Sequence, residues 1–165
     1  MKNWLWIFFL LPIDLVAQAN WTVTAPSSSI TDAGNNYSSS ILESASNQVV
    51  FSITGGPLSN YNIQVSRIDS DWSNQLSIFV RRTGSGTSGA LGSINGGTNY
   101  QQVNTFPQNF INGSLGLTGS RANVPVQFRI DGISVLLPAK TYATTIVFTL
   151  SNWAGFSIWF PLIFP

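Results

Sequence analysis

At 165 residues the chain is long enough for one domain with a sizeable core and too short for two comfortable ones. Charged residues make up 8% where about 25% is usual, and the formal net charge is +1. Histidine and cysteine are both absent, which excludes disulfides, thiolate or imidazole metal ligands, histidine general bases and cysteine nucleophiles. With no basic cluster, nucleic acid is excluded as the main partner, because phosphate binding needs several Lys or Arg on one face.

Residues 1–19 read as a secretory signal peptide. Lys2 precedes an apolar run from Trp4 to Leu11, continued by Pro12-Ile13-Asp14-Leu15-Val16, and Ala17-Gln18-Ala19 supplies the small-residue cleavage pattern. Cleavage after Ala19 starts the mature chain at Asn20 and places it outside the cell or on its surface. A retained membrane anchor fits less well, since Pro12 and Asp14 interrupt a run shorter than the roughly 20 residues a spanning helix needs.

The mature chain is dominated by Ser, Thr, Asn and Gly, which favour turns and penalise helix. Alternation of period two marks the strands. The first of these strands is carried by Val49, Phe51 and Ile53, which end at Gly55-Gly56-Pro57. Ile63 and Val65 mark a second, and Leu76, Ile78 and Val80 a third, closed by Arg81-Arg82. Val124, Val126, Phe128 and Ile130 form one face of another. Asp131-Gly132 predicts a hairpin turn into a strand over 133–137. The longest pattern runs from Tyr142 through Thr144, Ile146 and Phe148 to Leu150. Residues 83–99 and 106–121, rich in Gly, are expected to be loops. The fold class is therefore all-β, an antiparallel β-sandwich of Ig-like or jelly-roll-like kind over residues 20–150, with an apolar aromatic tail over 151–165.

Little here suggests catalysis. Gly84-Ser85-Gly86-Thr87-Ser88-Gly89 matches a dinucleotide fingerprint, but the residues after it cannot hold the helix that such a site needs. Asp69 and Asp71 lie two apart beside Trp72, the spacing for a shared carboxylate face, yet a solvated turn balanced by Arg67 or Arg81 is the simpler reading. Lys140 stands in a turn where lysine is ordinarily solvated. The expectation is a non-enzyme with no cofactor and no metal.

What remains is surface and edge. Trp21, Val23 and Ala25 alternate with threonines near the mature N-terminus, and residues 141–150 contain no Lys, Glu or Pro to blunt an edge. Trp21, Val23, Tyr142, Ile146 and Phe148 are the expected assembly residues. The run from Val135 to Leu150, with its Pro138-Ala139-Lys140-Thr141 turn, Tyr142 and Thr/Val-rich strand, resembles the closing segment of secreted bacterial pilin-like domains of the spore coat protein U kind. That resemblance implies a sandwich subunit of surface filaments, completed by a strand from its neighbour with the help of an assembly chaperone. This chain lacks the cysteines expected of that kind and continues past the final strand. The expected function is thus an exported structural or adhesive subunit that associates with itself. The alternative is a lectin-like module that binds polysaccharide by stacking sugars on Trp72 and Tyr100.

Overall fold

The computed structural model describes residues 14–18, 35–37, 41–151 and 156–163. Twelve strands follow in chain order: β1 (Asp14–Gln18), β2 (Ile41–Glu43), β3 (Val49–Thr54), β4 (Asn60–Asp71), β5 (Ser77–Arg82), β6 (Thr87–Ser88), β7 (Ser93–Asn95), β8 (Gln101–Gln102), β9 (Gln108–Ser114), β10 (Ser120–Asp131), β11 (Ala143–Ser151) and β12 (Phe156–Ile163). There is no helix among the described residues. All pairings are antiparallel, and two sheets face each other as a β-sandwich, the architecture that the period-two patterns predict.

The first sheet is ordered β1-β3-β10-β5-β8. Its spine is β10, which pairs with β3 and then β2 along one side, and with β6 and then β5 along the other. An irregularity between Arg121 and Val124, with Asn123 in the left-handed region at φ 57°, sets the register so that Val124, Val126, Phe128 and Ile130 all point inward. The second sheet is ordered β12-β11-β4-β9-β7.

The inward faces meet in one apolar core. Phe51, Ile53, Ile78, Val80, Val126 and Phe128 come from the first sheet, and Ile63, Val65, Phe110, Ile111, Ile146, Phe148 and Leu150 from the second. Phe148 is the centre: its ring centroid lies 4.6 Å from Phe51 in an edge-to-face contact, 6.0 Å from Phe110 and 6.4 Å from Phe128.

Four expectations are corrected: residues 83–99, read as loop, carry the short strands β6 and β7, paired with β10 and β9. Residues 108–114, read as loop because of Pro107 and Gly113, form an interior strand of the second sheet. A register shift opposite Ile63 and Gln64 lets the consecutive Phe110 and Ile111 both be buried, which erases the alternation. Residues 133–137 are not a strand. The Leu137 amide donates to the Ser134 carbonyl and the Leu136 amide to the Ser134 hydroxyl, closing a turn that tucks Ile133 and Leu137 onto the core. The expected turn at 69–71 is instead the last part of β4, held by β11.

Since Phe148 is completely buried and bridges both sheets, Phe148→Ala should cost roughly 3–5 kcal/mol of unfolding free energy. Urea titration followed by tryptophan fluorescence measures it. A loss below about 1 kcal/mol would show that the core closes over the gap.

Candidate functional site

The two sides of the sandwich end differently. On one side the sheets finish in β8 and β7, two and three residues long, and short edge strands offer little backbone to another chain. On the other side the long strands β3 and β11 are covered by segments from the two ends of the chain. Asp14 to Gln18 run antiparallel to β3 in the register Asp14 with Thr54 through Gln18 with Val50. Phe156 to Ile163 run against β11, from Leu150 with Phe156 to Ala143 with Ile163.

This arrangement places the expected assembly residues. β11 has β4 on one side and β12 on the other, so the edge that its lack of Lys, Glu and Pro suggests is occupied within the chain. Ile146 and Phe148 are core residues. Tyr142 stands just before β11, packs against the core, and donates its hydroxyl to the Pro138 carbonyl at 2.8 Å. Trp21 and Val23 lie outside the described residues.

The acidic pair is neutralised locally. Asp69 lies 3.3 Å from the Arg67 guanidinium and accepts from the Thr144 hydroxyl at 2.8 Å. Asp71 is paired with the Lys140 ammonium. Each carboxylate thus has its own cation partner, Asp69 on Arg67 and Asp71 on Lys140. Among the described residues there is no group of three metal-ligating side chains.

The two aromatic residues considered for sugar stacking sit in separate clusters. Trp72 packs against the core, donates its indole N–H to the Leu76 carbonyl at 3.1 Å, and has the Arg67 guanidinium 5.5 Å from its ring. Tyr100 belongs to a polar layer on the outer face of the first sheet. Its ring takes the guanidiniums of Arg81 at 4.4 Å and Arg129 at 4.5 Å. Arg81 also donates twice to the Gln127 side-chain carbonyl, at 3.0 and 2.8 Å, and Gln127 donates to the Ser44 carbonyl. Arg129 pairs with Asp131 at 3.0 Å. Period-two spacing puts Phe79 with Arg81, and Gln127 with Arg129 and Asp131, on one face. Their meeting depends on the pairing of β5 with β10, which no single strand encodes.

The glycine motif over 84–89 opens no helix. Residues 87–88 form β6 against β10, and Arg121, only 3% exposed, reaches across to donate to the Ser85 carbonyl at 2.7 Å and the Ser88 hydroxyl at 3.1 Å.

No family model matches the chain, and no curated protein matches it. One solved structure, that of AvmM, which catalyzes macrocyclization in alchivemycin A biosynthesis, aligns over 92% of this chain and 88% of its own. The identity is 8% and the TM-score 0.29, a likeness that carries no argument about this chain.

Two phenols titrate late. Burial pushes Tyr61 above its ordinary 10.0, with Arg121 and Arg82 pulling back. Burial also raises Tyr100, and the neighbouring Glu43 carboxylate adds to it against Arg81 and Arg129. The fold favours the neutral phenol, so this contribution to stability is complete below the unfolded value near 10 and is lost as pH rises through the higher folded values. Titration of phenolate absorbance should show a late phase that shrinks in Tyr100→Phe. An unchanged curve in that variant would place Tyr100 among the ordinary phenols.

Proposed function

We propose that the protein is an exported, non-enzymatic structural or adhesive surface subunit that associates with itself by strand addition. The observation that supports this reading is the position of β1. It lies wholly inside the segment read as the signal peptide, one residue before the expected cleavage point. Processing after Ala19 removes β1 and bares the outer edge of β3, leaving a row of backbone N–H and C=O groups beside the buried Phe51 and Ile53. An edge of that length, with an apolar core directly beneath it, is a template for a new strand.

The incoming strand in this proposal is Trp21–Ala25 of a second copy. Trp21 and Val23 occupy alternate positions, as Leu15 and Ala17 do opposite Ile53 and Phe51 in β1. Main-chain hydrogen bonds hold the joint, and the alternate apolar positions set the register. Tyr142, Ile146 and Phe148 contribute by bracing the sandwich from the facing sheet rather than by meeting the partner. An assembly chaperone would have the task of covering the β3 edge until a subunit arrives. The resemblance to pilin-like domains points the same way and stays part of the proposal.

Light scattering of residues 20–165 across a range of concentrations tests this reading. The expected result is a mass that grows with concentration in open-ended steps and falls to a single subunit in Trp21→Asp/Val23→Asp. A monomer at every concentration, with a circular dichroism spectrum of folded sheet, would overturn self-association and turn attention to polysaccharide binding. Assembly that survives both substitutions would move the joint away from Trp21–Ala25.

A further inference from the structure

Arg67, Arg82 and Arg121 stand at inward-facing positions of the sandwich, and they are treated differently. On β4, Arg67 continues the buried alternation of Ile63 and Val65 and is paired with Asp69 at 3.3 Å. Arg82 and Arg121 come from the first sheet. Arg82 follows Ile78 and Val80 on β5 and lies opposite the buried Val126, while Arg121 lies opposite the buried Ile53. Both enter the sandwich at the end covered by the loop from β5 to β6, residues 83–86.

The two guanidiniums meet at Ser85. Arg121 donates Nη1 to the Ser85 carbonyl at 2.7 Å and Nη2 to the Ser88 hydroxyl at 3.1 Å. Arg82 donates Nη1 to the Ser85 hydroxyl at 3.2 Å and to the Gly84 carbonyl at 3.4 Å, and Nε to the Gly96 carbonyl at 2.5 Å. Two glycines fix Ser85 in place. A Cβ on Gly84 would meet Pro125 at 3.0 Å, and one on Gly86, at φ 62°, would meet the Ala122 carbonyl at 2.3 Å. Tyr61 of the facing sheet is a neighbour of both arginines, and its phenol senses their charges and no carboxylate.

What this end lacks is a counter-charge. Arg121 is 3% exposed, and its buried Nε has no acceptor. Acids among the described residues are committed elsewhere. Asp69, Asp71 and Asp131 pair with Arg67, Lys140 and Arg129, and Glu43 stands opposite Arg129 in the register of β2 on β10. Asp14 is in register with Thr54, one position out of step with Leu15, Ile53 and Arg121, and so belongs to the other face of the first sheet. Arg67 and Arg129 each find an aspartate two residues on, whereas the same position holds Gly84 after Arg82 and Asn123 after Arg121. Carbonyl dipoles offset part of a guanidinium's desolvation but carry no net charge, so a buried cation beside a second one is costly without an anion.

We propose that Arg82, Arg121 and Ser85 form a seat for a phosphate-like oxyanion, carried either as the free ion or on a larger ligand. Ser85 is exposed, so the anion reaches it from solvent without opening the core. Arg82 Nη2, which has no acceptor among the described residues, donates to it together with the Ser85 hydroxyl, and Arg121 behind Ser85 supplies the second positive charge. The planar fork of a guanidinium matches two oxygens of one anion, which favours an oxyanion over a halide. Two cations at one point suit a single such group rather than the repeated phosphates of a nucleic acid. The seat goes beyond strand addition and does not depend on it.

Thermal unfolding of the full chain, followed by circular dichroism in sodium phosphate and in sodium chloride of matched ionic strength at neutral pH, tests the proposal. The expected result is a rise in Tm that saturates with phosphate. It should vanish in Arg82→Gln, and in Ser85→Ala the apparent Kd should rise about tenfold, the factor for losing one hydrogen bond to a charged group. Ser85→Ala, at an exposed site, keeps the test open should Arg82→Gln not fold. Arg81→Gln removes the same charge from the outer face and should leave the phosphate response intact. A phosphomonoester used in place of inorganic phosphate separates the two sources. Equal or weaker binding of the ester assigns the seat to the free ion and tighter binding to a phosphorylated ligand, and both uphold the oxyanion. Equal Tm in the two salts would overturn the proposal. So would a shift that grows without saturating, or one that Arg82→Gln retains as fully as Arg81→Gln.

Discussion

The contact of Phe148 with Phe51 across the two sheets is the constraint from which the rest of the architecture follows. A chain with 8% charged residues and no cysteine has neither ion-pair networks nor disulfides to hold two sheets face to face. Burial of apolar surface must do it, and the edge-to-face ring pair, with Phe110 and Phe128 beside it, sits where strands from both sheets interdigitate. Because Phe148 must point inward, the register of β11 is set, and through it the registers of β4 and β12 on either side. The spine strand β10 plays the matching part in the first sheet by the same alternation, with its irregularity near Asn123 absorbing the residues that do not fit.

Closing the core leaves the question of edges, and the molecule treats its two sides unequally. Short β7 and β8 make one side a poor template, while β3 and β11 on the other side rely on segments from the two ends of the chain. An edge capped by its own N-terminal segment is physically conditional, since any process that removes the segment converts a satisfied edge into an unsatisfied one. That conditional edge is the basis of the proposed assembly. It also separates the proposed joint at β3 from β11, whose Ile146, Phe148 and Leu150 face the interior.

The sparse charges are concentrated. Arg81, Arg129, Asp131 and Tyr100 form a cation–π and hydrogen-bonded layer over the first sheet, and Arg67, Asp69, Asp71 and Lys140 pair up at the far end of β4. Of these pairs, the solvent-exposed Lys140–Asp71 contact adds little stability.

Local pattern in the sequence was enough to determine the class of fold and several strands. Val49–Thr54 coincide with the predicted run, and the inward face of Val124, Val126, Phe128 and Ile130 is the observed one, because alternation of apolar and polar residues is a property of one strand against one core. Of the candidate site residues, Ile146 and Phe148 were legible as the apolar face of a long strand, but whether that strand was an edge was not. That depends on β12, an uncharged aromatic stretch interrupted by Pro161 that does not announce itself as a partner. Residues 108–114 and 133–137 escape the period-two pattern for a related reason: a bulge erases the alternation of the first, and Ser134 holds the second in a turn. The placement of Leu15 and Ala17 opposite Ile53 and Phe51, and of Tyr100 between two arginines, is likewise decided only in the folded molecule. Each is a pairing between segments distant in the chain, and register between strands is set by the whole core rather than by any one of them.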